Sequence, residues 1–293
     1  MLGVGINQHL KKRYAVNKVS VVVATRNEVL NIENCLKSLR EQLNIELEII
    51  VVDNNSVDET REVAGNFADK VFNLVDEIDL TEVKNLRGAQ VNFGVSCATG
   101  SIIFFPDADM TFDPGLLNEC ATMLQEFDAL YIPEVICGLG YFGKIRAFER
   151  DFYNATCIDA LRVVKKISFD KVGGFDVHNI LFGPDDWDLT KKLHSIGVKT
   201  GLTKKRIFHH EERLYLSAYI EKKAKYMPTL EGYINKWGSD DPDISRQLGI
   251  GYRYFGVFLE NSKWKRLVAR LDLAIGMYFL RFIVGLAYII RRH

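Results

Sequence analysis

Residues 19–28 read VSVVVATRNE and residues 48–56 read EIIVVDNNS. Between them Ile32, Cys35, Leu36 and Leu39 recur at the spacing of one helix face. Both β-branched runs are apolar at successive positions, so each predicts a strand that must be covered on both faces. A strand, a helix and a second such strand make a right-handed crossover, which leaves both carboxyl ends on one sheet edge. Further strands are predicted at 70–74, 101–105 and 130–132, with helical patterns at 58–68 and 86–98. The alternation predicts a doubly wound, mostly parallel α/β sheet, whose ligands bind beyond the carboxyl ends of the strands. Thr25, Asp53 and Asp107 all fall there.

After Glu212 the alternation stops, and helices are expected, broken at Pro228, Gly232, Gly238 and the GSDDPD turn of 238–243. The expected organisation is a basic arm at 1–18, an α/β domain at 19–212 and a helical, membrane-associated tail at 213–293. The arm carries Lys11, Lys12, Arg13 and Lys18 and no acid.

The chain is long enough for one large domain with an appendage. Its 38 basic residues match 38 acidic ones, so no overall field points to nucleic acid as the partner. Five scattered cysteines without a CxxC pair argue against a zinc site or a disulfide framework and for a reducing cytoplasm. The first residues lack the apolar core of a signal peptide, so a cytoplasmic location is expected.

Three phrases carry candidate chemistry. In FFPDADM, Asp107 and Asp109 follow an apolar strand directly, where two carboxylates can hold a hard divalent cation that a phosphate-bearing substrate completes. In VVDNNSVDET, Asp53 ends the second strand, where its carboxylate can accept a hydrogen bond from a base ring N–H; Ser56 and Asp58 read as helix caps. In GPDDWDLTKKL, Asp185, Asp186 and Asp188 open a helix; some serve its dipole, and one facing the cleft can deprotonate an acceptor hydroxyl. His209 and His210, after a possible strand at 206–208, are secondary candidates for metal contact, His209 first.

Taken in order, VVVATRNE, DNNSVDET, RGAQVNFG, DAD, VGGFD and PDDWDL resemble the family 2 glycosyltransferases, over about Val19 to His210. The resemblance implies an inverting enzyme of the Rossmann-like GT-A fold that uses a UDP- or GDP-sugar with Mn2+ or Mg2+. It implies that Ala24, Thr25 and Glu28 line the nucleoside pocket, that Asp53 meets the base, and that Arg87 and Gly88 lie near the diphosphate. Asp107 would lie near ribose and metal, Asp109 on the metal, and Asp186 would be the catalytic base. The family often has Pro at the position of Ala24 and Glu at that of Asp185. A glycan or a polyprenyl-phosphate-linked acceptor is expected. The alternatives are a non-catalytic nucleotide-sugar binder, which the four acids disfavour, and a nucleotidyltransferase, which would show a Gly-rich basic loop where this chain has ATRNE.

The tail is apolar from Leu273 to Ile290 apart from Gly276, Gly285 and Arg281, nearly long enough to span a membrane. Arg281 opposes a crossing at about 2.5–3.5 kcal/mol near the bilayer centre. Arg270, Arg281 and Arg292 lie about three turns apart and predict one basic stripe, suited to an anionic lipid surface at the inner face of the cell membrane. The other expectation is a helix packed on the catalytic domain. Lys222, Lys223, Lys225, Tyr226, Lys236 and Trp237 add interfacial character.

Overall fold

The β-branched runs become the central strands β1 (Ala15–Thr25), β2 (Glu46–Asp53) and β4 (Gly100–Phe104) of a computed structural model that describes residues 15–225 and 228–291. The arm before Ala15, like Tyr226 and Arg292, lies outside those residues. With β3 (Lys70–Asn73), these strands run parallel. The remaining strands are β5 (Met110–Phe112), β6 (Ala129–Tyr131), β7 (Glu134–Cys137), β8 (Leu161–Lys165), β9 (Thr200–Leu202) and β10 (Ile207–His210). The sheet order is β3-β2-β1-β4-β8-β6-β9.

β8 runs antiparallel to both β4 and β6, so the sheet is mostly but not wholly parallel. A second sheet has the order β5-β10-β7, with His209 and His210 inside β10 rather than after it. β5, β7, β8 and β9 were not expected from the sequence; each is a short segment made a strand by pairing with a distant one.

Around the sheet and after it stand, among other described helices, α1 (Ile32–Arg40), α2 (Leu86–Ser96), α3 (Gly140–Arg150), α4 (Asp185–Ser195), α5 (Leu230–Trp237) and α6 (Leu271–Arg291). The sheet is covered on both faces, as its apolar runs require: Val19, Val21 and Val23 pack with Ile32, Leu36 and Leu39 of α1, and Val22, Ile50 and Val52 pack with Ala89, Val91 and Val95 of α2.

Past His210 the described elements are helices, and they pack on the α/β body. Ile180 and Trp187 join Tyr233, Ile244 and Trp237 in one cluster. Ile145 and Phe152 of the α3 region join Phe258, Leu273, Met277 and Leu280 in another. Gly232 does not break α5, because it is there for close approach: a Cβ would stand 2.2 Å from the Asn179 carbonyl oxygen.

The expected arginine stripe is also corrected. Arg281 is buried, donating to Glu149 of α3, to Tyr153 and to the Arg253 carbonyl, so it faces protein rather than lipid. A charge this costly to desolvate is met by a buried carboxylate, Glu149. Arg270 is exposed and held by Asp272. Among the described residues, no helix is long and apolar enough to cross a membrane.

Candidate active site

Gln90 on α2 draws the strand ends together: its Nε2 donates to the carbonyls of both Thr25 (2.8 Å) and Val52 (2.6 Å). Beyond those ends the first loop is stitched to the second. The backbone N–H groups of Asn27, Glu28 and Val29 donate to Ser56 Oγ, Thr60 Oγ1 and Asp58. Ser56 and Asp58 are therefore loop staples. Asp58 also accepts the N–H of Thr60, the first residue of the helix Thr60–Gly65, so it serves the helix start as expected, whereas Ser56 does not.

Asp53 is fully buried at this junction, accepting from Thr25 Oγ1 (3.1 Å), Ser56 N (2.7 Å) and Ser56 Oγ. Ala24 bridges to Asp107 in the backbone, bringing the first loop against the DAD phrase. Glu28 faces the same region. Burial, then the nearby Asp109 and Asp107 carboxylates, push its pKa above the ordinary carboxylate value, against a hydrogen bond from Asn31.

Arg87, in the first turn of α2, is the hub. Its Nε donates to Asp107 Oδ1 (3.1 Å), and its Nη1 donates to Asp185 Oδ2 and Asp186 Oδ1 (both 3.3 Å). Arg162 on β8 donates to the other oxygen of Asp107 at 3.2 Å. Burial opposes the Asp107 charge, but Arg87 and Arg162 outweigh it and hold its pKa well below the usual range. Gly88 lies here too, its N–H accepted by Asn85 Oδ1, the cap of α2.

The three acids at the start of α4 are held differently. Asp185 is buried, accepting from Gly183 N, Asn85 Nδ2 and Arg87. Asp188 is buried on another face, accepting from Trp237 Nε1 (2.8 Å) and Lys236. The Asp186 carboxylate meets Arg87 alone among the described residues. Its pKa is raised, first by burial and then by Asp185 and Asp107, against the pull of Arg87 and Arg162. The GGFD turn is fixed by Asn92, which exchanges two hydrogen bonds with Phe175. Gly174 sits there at φ +64°, where a Cβ would be 2.3 Å from Asn92 Oδ1.

Asp109 faces β10, and its Oδ2 stands 3.0 Å from His209 Nε2. His209 Nδ1 stands 2.9 Å from Glu134 Oε1. Desolvation lowers the His209 pKa, yet the two carboxylates more than offset it and lift it to about 10. The other oxygen of Asp109 is buried without a hydrogen-bond partner. An orphaned carboxylate oxygen beside an imidazole whose far nitrogen is oriented by a second carboxylate is a donor set that fits a divalent cation.

Sequence reasoning missed Glu134, Arg162, Asn85 and Gln90. Arg162 had a signal, a buried charge in the interior of the strand LRVVK, whose other charge, Lys165, stands at its end. Glu134 had none, since β7 was not recognised.

The family model for glycosyl transferase family 2 matches residues 20–175. The chain is 36% identical over 93 residues to the glycosyltransferase AglE of Haloferax volcanii, covering 31% of this chain and 30% of that protein. It is 31% identical over 117 residues to a GalNAc(5)-diNAcBac-PP-undecaprenol beta-1,3-glucosyltransferase of Campylobacter jejuni, covering 39% of this chain and 36% of that protein. These matches span about a third of the relatives' own length. Among solved structures, the mannosyltransferase PcManGT of Pyrobaculum calidifontis, in complex with GDP-Man and Mn2+, superposes with a TM-score of 0.59 at 19% identity, covering 98% of this chain and 93% of that one. Likeness at that identity speaks for the fold, and the family match speaks for the class of enzyme: the chain, a GT-A-type α/β protein, belongs to glycosyl transferase family 2.

Proposed function

We propose that this glycosyltransferase is metal-dependent and inverting, moving a sugar from a UDP- or GDP-sugar to a hydroxyl of a glycan or a lipid-linked acceptor. The observation that carries the reading is the hub itself: acids from two separate phrases, Asp107 and the Asp185–Asp186 pair, meet one guanidinium within 3.3 Å.

In this reading Ala24, Thr25 and Glu28 line the nucleoside pocket. Asp53 is enclosed, so a base ring N–H reaches it only by displacing the Ser56 hydroxyl. The Arg87 guanidinium, which hydrogen-bonds to three carboxylates in the free protein, turns part of its charge to the donor diphosphate. Gly88 contributes close backbone approach rather than a free N–H. Asp107 remains oriented by Arg162, toward ribose and cation.

Asp109 and His209 would hold Mn2+ or Mg2+, with Asp107 adjacent and Glu134 fixing the imidazole. A carboxylate with an imidazole favours manganese of the two. When bound, the cation supplies positive charge to the leaving diphosphate.

Asp186 accepts the acceptor proton. Its raised pKa makes it a stronger base than an ordinary carboxylate, and it is less tied than Asp185. Attack from that side, opposite the diphosphate, inverts the anomeric centre. The complexes of two structural neighbours, one with GDP-Man and Mn2+ and one with UDP-GlcNAc, support a nucleotide-sugar donor. The undecaprenol-linked substrate in the Campylobacter jejuni relative's name supports a lipid-linked acceptor, and with it work at a membrane surface. The catalytic unit is assigned to 19–212, with the helices of 213–293 as its support and its link to that surface.

The test is nucleotide release from UDP- and GDP-sugars by purified protein with Mn2+ or Mg2+. Release with one donor set, abolished by chelator and by Asp109→Asn, is expected. Release that survives chelation would refute metal dependence, and no binding of any nucleotide-sugar would refute the reading.

A further inference from the structure

Arg281 and its neighbours Leu273, Ala274, Met277 and Leu280 turn one side of α6 into the protein. The opposite side is left uncovered. Leu271, Ile275, Phe279, Phe282 and Leu286 are each between 41% and 70% exposed. At about 100° per residue these five fall within about 80° of arc, on a stripe about 22 Å long. Trp264 and Val268, on the preceding helix Trp264–Ala269, extend the apolar surface, as do Phe255 and Leu259 before it. An exposed apolar stripe of this kind on one helix face marks an interaction site.

Its rim is basic. Lys265, Arg266 and Arg270 are exposed beside the stripe. The one acid between residues 262 and 291, Asp272, is already engaged by Arg270. Asp151 likewise pairs with Arg266, so among the described residues the acids beside this rim are each already taken by an arginine, and a second copy of the face would meet it with Lys265 in excess. An anionic lipid surface meets both the apolar stripe and its basic rim, and the aromatic Trp264 suits the headgroup level.

The stripe is also indexed to the active site. α3 follows directly on β7, the strand that carries Glu134 behind His209. Three ties hold α6 to α3: Tyr141 Oη donates to the Asp272 carbonyl, Arg281 pairs with Glu149, and Gly276 packs against Ile145.

We propose that the outward face of α6, with Trp264 and Val268, is a bilayer-docking ledge that inserts into the acyl boundary of an anionic membrane while Lys265, Arg266 and Arg270 meet lipid headgroups. α6 lies in the membrane plane, and its arginine inside the protein acts as the clamp that keeps the apolar side outward. This deepens the membrane-surface reading given above, and the measurement separates the two.

The experiment is flotation of the full chain with phosphatidylcholine vesicles, with and without phosphatidylglycerol, read beside nucleotide release in vesicle-free buffer. The wild type is expected to float with the anionic vesicles. The double variant Ile275→Glu/Phe279→Glu, altered only at exposed positions, should lose at least about tenfold in partitioning and keep its nucleotide release. Lys265→Gln should weaken flotation in a salt-dependent way, and the Trp264 emission, identified by comparison with Trp264→Phe, should shift to the blue on anionic vesicles. Undiminished flotation of the double variant would overturn the ledge. So would a wild type that ignores vesicles but self-associates in sedimentation and is made monomeric by the same substitutions, because the face would then be a self-interface. Intact flotation without nucleotide release would leave the ledge standing and sink the catalytic reading alone.

Discussion

His209 Nε2 lies 3.0 Å from Asp109 Oδ2, although the two residues are one hundred apart in sequence. β10 pairs with β5 and β7, and that pairing sets the imidazole between Asp109 and Glu134. Glu134→Gln should therefore weaken Mn2+ binding by about 10- to 100-fold by loosening the imidazole, while Asp109→Asn abolishes it. Titration calorimetry with Mn2+ checks both. Equal affinity in wild type and Glu134→Gln would remove Glu134 from the site.

The three acids of the PDDWD phrase should separate in kinetics. Asp186→Asn is expected to cost about 10²- to 10⁴-fold in turnover with donor affinity retained. Asp188→Asn weakens the clamp of Trp237 and Lys236 on α4, so it should lower thermal stability first. Turnover, donor affinity and melting temperature for the single Asn variants decide the matter. A dead Asp185→Asn with intact donor binding beside an active Asp186→Asn would move the base by one residue.

Glu48 should make the fold acid-sensitive. Burial opposes its charge, but Ser20, Thr99 and Lys70 donate to it and hold its pKa at about 2. A folded pKa below the unfolded one contributes stability above about pH 4.3, the ordinary Glu value, and loses it as pH falls toward 2. Glu48→Gln should thus be less stable than wild type by about 1–3 kcal/mol at pH 7, with the gap narrowing by pH 3. Urea unfolding at the two pH values measures it.

Arg281→Ala should destabilise the junction of α3 and α6 by about 3–5 kcal/mol, because Glu149 would stay buried with less compensation. Adding Glu149→Gln should recover part of the loss. Chemical unfolding of the single and double variants reads the coupling, and full additivity would show that the pair does not act as one.

The α/β half of this protein was legible in local sequence pattern. Val19–Ala24 and Glu48–Val52 are apolar on both faces, and a run of that kind has one stable place, the middle of a covered parallel sheet. Asp53, Asp107 and Asp109 follow such strands directly, so their arrival at one sheet edge was legible from local pattern. Glu134 and Asn85 were not legible, because each matters only through a partner that the pairing of distant segments brings near. The direction of Arg281 was likewise decided by tertiary structure: a helix wheel groups residues by face but does not say which face meets protein. The buried Glu149 on α3 resolved that, since an arginine leaves water only where a carboxylate receives it.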